Sequence, residues 1–79
     1  MKEVKFPQYR RYLNQLNYFC IPDFDSFEEI RRMGSKWIIE KHQVKILPDR
    51  NHVHDLLFQY QEFAEVITVE EYELVRMEA

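Results

Sequence analysis

Glycine, cysteine and serine are scarce in this chain, and each scarcity removes a class of chemistry. The single glycine, Gly34, excludes the Gly-rich phosphate loops of the Walker and dinucleotide types. The single cysteine, Cys20, excludes an internal disulfide framework and a four-thiolate zinc centre. Neither of the serines, Ser26 and Ser35, lies in a Gly-x-Ser-x-Gly nucleophile elbow. No run approaches the roughly 18–20 consecutive apolar residues of a membrane-spanning helix. Met1-Lys2-Glu3-Val4-Lys5 leads straight into aromatic and basic residues, without the apolar stretch of a signal peptide. A lone thiol and no export signal lead to the expectation of a reducing, cytoplasmic setting.

Apolar side chains, by contrast, are plentiful. Hydrophobic residues make up 46% of the 79 and aromatics 15%. Each aromatic buries roughly 150–250 Å² in a core, which offsets chain entropy and excludes a disordered polar polymer. The length corresponds to one small domain spanning 1–79. A domain this short buries only about 60–65% of the surface its unfolded chain exposes.

The net charge of −3 hides a polarity along the chain. Residues 1–50 carry ten basic and seven acidic side chains, a net of +3. Residues 51–79 carry Arg76 against seven acids, a net of −6. Such blocks read either as solvated faces or as a surface that steers a basic partner.

Periodicity suggests helices. Tyr9, Tyr12, Leu13, Leu16, Phe19 and Cys20 recur at steps of three and four after Pro7, predicting an amphipathic helix that ends before Pro22. Ser26-Phe27-Glu28-Glu29 matches a capping box, which with Ile30, Met33 and Gly34 predicts a short helix over 26–33. Trp37-Ile38-Ile39 and Val44-Lys45-Ile46-Leu47 are rich in β-formers and favour strands, with Glu40–Gln43 turning a hairpin, over a helical continuation. Val53, Leu56, Leu57, Tyr60, Phe63, Ala64 and Ile67 give the strongest helical pattern. Thr68-Val69-Glu70-Glu71 is a second capping box, so the last dozen residues read as a terminal helix, with an edge strand as the alternative. The expected fold is a small α+β domain of three to four helices with a short β element around residues 37–47, and an all-α bundle is the alternative.

Catalytic constellations are missing. Ser26 is accounted for by capping, and Cys20 beside Phe19 reads as a small core hydrophobe rather than a reactive thiol. The adjacent pairs Glu28/Glu29 and Glu70/Glu71 do not face each other on a helix. His52-Val53-His54-Asp55 is the one local group of metal-capable side chains; His52 and His54 share a face on a strand but diverge on the helix expected there, and His42 is the only source of a third imidazole.

No enzyme activity and no cofactor are therefore expected. Phe6, Tyr18, Phe24 and Phe58 fall off the main apolar stripes, and surplus aromatics mark interaction surfaces. The favoured function is a protein-interaction module, such as an accessory subunit, regulator or small inhibitor, binding a protein partner or a second copy of itself. Its contact residues are Tyr18, Phe24 and Phe58 together with Glu62, Glu65, Glu70, Glu71 and Glu73. The main alternative is nucleic-acid binding through Arg10, Arg11, Arg31 and Arg32, which the acidic pI of about 5.6 opposes. A metal site at His52/His54 is a more remote one.

Overall fold

A computed structural model of the protein describes residues 4–79. Four strands run as an antiparallel meander: β1 (Gln8–Tyr12), β2 (Asn17–Asp23), β3 (Ser26–Met33) and β4 (Lys36–Gln43). Helix α1 (Leu47–Phe58) follows, then β5 (Ala64–Val66) and helix α2 (Val69–Glu78). Strand β5 pairs antiparallel with β1, giving the sheet order β4-β3-β2-β1-β5.

The sheet is covered on both faces. Successive strand residues point to opposite sides, and here both sides find apolar cover. Phe19, Ile21 and Phe27 pack with Val53, Leu56 and Leu57 of α1 on one face. Tyr18, Ile30 and Ile67 pack with Tyr72 of α2 on the other, with Tyr9, Trp37 and Ile39 at the margin. Phe19 and Tyr72 are essentially inaccessible, the centres of the two layers. Full burial of a side chain the size of phenylalanine contributes about 1.5–3 kcal/mol.

The helix termini have visible chemical causes. Pro48 lies in the first turn of α1, where its missing N–H loses nothing. No basic residue stands in the last turn of α1, and buried Arg10 of β1 takes that place: its Nε donates to Leu56 O at 2.8 Å. Thr68 caps α2, its Oγ1 accepting from the Glu71 amide at 3.1 Å, with Glu70 and Glu71 at the positive end.

This architecture corrects the expected one. The described residues form two helices and five strands, so neither the three-to-four-helix α+β domain nor the all-α bundle is formed. The segment expected as the first helix is β1, a turn and β2, and the segment after the first capping box is β3. The β element expected within 37–47 is one strand, β4, paired back on β3, and not a hairpin of its own. Only the first half of the 53–67 pattern is helical, the rest forming a turn and β5; the terminal helix is present as α2.

The physical reason is the double cover. A strand buried on both sides shows a near-continuous apolar run instead of alternation. Tyr18, Phe19, Cys20 and Ile21 are such a run, and with Tyr9 and Tyr12 on opposite faces of β1 they mimic helical spacing. Pro22 stops no helix. It lies where the β2–β3 register slips by one residue between Cys20 and Asp23, a bulge that tolerates a missing amide donor.

Candidate functional site

Two surfaces on opposite faces of the sheet combine exposure with concentrated chemistry. The first is built on α2. Tyr72 anchors this helix: it is buried in the sheet, and its hydroxyl donates to Glu28 Oε1 at 2.7 Å. Burial and the adjacent Glu28 carboxylate hold that hydroxyl protonated, far above the ordinary phenol range. Arg76 Nε donates to the same Glu28 oxygen at 3.1 Å and fixes the C-terminal turn. At 3.6 residues per turn the side opposite Tyr72 carries Glu70, Leu74 and Met77, flanked by Glu73 and Glu78. Leu74 is 65% exposed and Met77 81%. Among the described residues no ion-pair partner is present for Glu70, Glu73 or Glu78.

Beneath α2 runs a cleft of about 430 Å³, bounded by Cys20, Pro22, Lys41, Tyr72, Glu73 and Arg76. Burial and the neighbouring Glu28 charge push the Cys20 thiol up, which favours the protonated form at neutral pH.

The second surface lies across the sheet. The β3–β4 register places Glu29 opposite Glu40 and Phe27 opposite His42. One donor atom from each of Glu29, Glu40 and His42 lies within 4.8 Å of the others. His52 of α1 approaches from above, edge-on to Phe19 and Phe27, and its Nε2 is 3.1 Å from the Tyr12 hydroxyl.

The residues expected to bind a partner are dispersed. Tyr18 is no anchor, because it is buried at 8% exposure against Trp37. Phe24 is half-exposed at the β2–β3 turn, edge-on to Phe6, and Phe58 is partly exposed beside His54 at the end of α1. Glu65 and Glu71 face Arg11, whereas Glu62, Glu70 and Glu73 are open to solvent. Only Glu70, Glu71 and Glu73 share one element, α2. Leu74 and Met77 belong to that surface too; their spacing at i and i+3 among acids is the sequence signal for it.

The four arginines do not converge either. By the strand register Arg10 and Arg31 point to the α1 face, and Arg11 and Arg32 to the α2 face. Each is engaged: Arg10 over the Tyr60 ring and on Leu56 O, Arg11 on Glu65, Arg31 on Glu40, and Arg32 on Gly34 O and over Trp37. His52 and His54 lie on different sides of α1, one half-buried and the other exposed, and form no joint ligand pair. Among the described residues the metal-capable group is instead Glu29, Glu40 and His42, a constellation that follows from the hairpin register and has no local sequence motif.

Comparison with protein-family models, with curated proteins and with solved structures finds no match.

Proposed function

We propose that the protein is a non-enzymatic binding module that holds a basic protein partner on the outward side of α2. The observation that carries this reading is the exposure of Leu74 and Met77 among the carboxylates Glu70, Glu73 and Glu78, which have no ion-pair partner among the described residues. Apolar side chains at the centre of a patch supply affinity once water is excluded, and surrounding charge of one sign selects and steers the partner. Anchoring by Tyr72, Glu28 and Arg76 presents the helix rigidly, so little ordering entropy opposes binding. Nucleic acid is disfavoured as the ligand, because this surface is acidic and the arginines are engaged elsewhere.

Affinity capture from the source cells with the intact chain and with a Leu74→Asp/Met77→Asp variant tests the proposal. Both side chains are exposed, so the variant keeps its fold. A partner retained by the intact chain, weakened at least tenfold by the variant and released as salt rises from about 0.05 to 0.3 M supports it. Absence of any partner at low salt, or a partner indifferent to the variant, overturns it.

A further inference from the structure

We propose that Glu29, Glu40 and His42 form a binding site for one divalent transition-metal ion of the zinc class, on the sheet face opposite the α2 surface. The argument begins with how the carboxylates are held. Asn17 Nδ2 donates to Glu29 Oε2 at 2.8 Å, and the Arg31 guanidinium donates to Glu40 Oε1 at 2.6 Å. Each carboxylate therefore has one oxygen fixed by an outer partner and one left over. The leftover oxygens face the same atom: His42 Nε2 is 3.9 Å from Glu29 Oε1 and 3.4 Å from Glu40 Oε2. Metal ligands are oriented by such outer-shell donors, which leave the inner lone pairs free for the ion.

The imidazole supplies the independent observation. His42 Nε2 is itself shielded from solvent, although its side chain is 36% exposed, and among the described residues it has no hydrogen-bond partner. A buried nitrogen without a partner is costly and calls for an explanation. The ring stacks on Phe27 with centroids 4.8 Å apart and planes 19° from parallel, and this contact holds Nε2 toward the carboxylates. Arg31 Nε is also buried without a partner; it is a donor only and takes no part in ligation.

Charge and size agree. Glu29 and Glu40 stand directly opposite each other across the strands, an arrangement of like charges that favours cations nearby. Arg31 offsets one of the two charges, which leaves a site of net −1 toward a dication. Donors around a tetrahedral zinc ion are roughly 3.3–3.5 Å apart, given bonds of about 2.0–2.1 Å. His42 Nε2 already stands at that spacing from Glu40 Oε2, at 3.4 Å, and is 3.9 Å from Glu29 Oε1, while all three donor atoms lie within 4.8 Å of one another, so ligation draws the Glu29 tip inward. One imidazole and two carboxylates suit zinc and its first-row neighbours better than calcium or magnesium, which take all-oxygen shells. Three protein ligands leave a coordination position for water or a ligand.

The test is titration of tag-free, chelator-treated protein with Zn²⁺ by calorimetry, and with Co²⁺ by visible absorption. One equivalent is expected. His42→Ala and Glu29→Gln should each weaken it at least tenfold and abolish the cobalt spectrum, Asn17→Ala should weaken it about tenfold, and His54→Ala should change nothing. Circular dichroism of the metal-free variants separates loss of ligation from loss of fold, and the conservative Glu40→Gln provides a second probe should His42→Ala unfold. Failure of the folded intact chain to bind either ion, or binding that survives His42→Ala and Glu29→Gln, overturns the proposal.

Discussion

At the scale of single residues, His52 shows how burial decides protonation. Its ring lies edge-on between Phe19 and Phe27, and its nearest polar contact is the Tyr12 hydroxyl. Removal from water lowers its pKa below the ordinary imidazole value; Glu29, Asp55 and Asp49 favour the charged form but are outweighed, and His42 adds to the lowering. The sign of the linked stability follows. With the folded pKa below the unfolded value of about 6.5, the unfolded chain takes up the proton first on acidification. The His52 contribution is intact above that value, falls as the pH drops through it, and levels off below the folded pKa. The urea midpoint should therefore decline between pH 7.5 and roughly pH 5, and His52→Gln should remove part of that decline. A His52→Gln chain with the same pH profile as the parent would show that the imidazole is not desolvated in the folded protein.

At the scale of elements, the turns specify the sheet. Gly34 and Ser35 connect Met33 to Lys36, and Gly34 has φ +62°, the left-handed region that a two-residue hairpin loop uses at its first position. Nothing lies within 4 Å of a Cβ built there, so Gly34→Ala meets no steric neighbour and costs only the backbone preference, about 1 kcal/mol. Gly34→Asn should cost a similar amount, because Ser35 does not share the positive φ and the turn is of the type whose first position is a glycine position. Equilibrium denaturation of the three chains checks both; an alanine variant as stable as the parent would mean that the turn relaxes. The same turn marks what was legible in the sequence. Along the sequence Gly34 looks like a helix stop, because Ser26 and Glu29 resemble a capping box and Phe27, Ile30 and Met33 resemble a stripe. As a hairpin turn it sets the β3–β4 register, and with it the opposition of Glu29 to Glu40 and of Phe27 to His42. The second capping box, at Thr68, was readable because α2 is covered on one side only and keeps its polar outer positions. Strands covered on both sides carried no period-2 signal, so the chemistry they bring together had none either.

At the scale of the whole molecule, an open five-stranded sheet must protect two edges. The two helices cover its faces and leave the edges free. An unpaired edge strand is a template for pairing with another chain, and proteins blunt it by shortness or by lysine. The β5 edge is three residues long. The β4 edge is eight residues long and carries Trp37, Ile38 and Ile39 in its centre. Exposed Lys36 and Lys41 bracket that apolar centre. Edge-to-edge pairing of two antiparallel β4 strands would crowd and partly desolvate both lysines, one on each face of the strand, which opposes self-association. Replacing both by valine removes the opposition and adds two β-formers. The intact chain should therefore keep its protomer mass of 9.8 kDa in light scattering at about 0.1 mM, whereas Lys36→Val/Lys41→Val should form dimers or larger species with rising concentration. Raised salt should promote association of the intact chain only weakly, because it screens the lysines without making them apolar. An intact chain that already dimerises through β4, with no increase in the double variant, would show that this edge is an interface and that the lysines do not guard it.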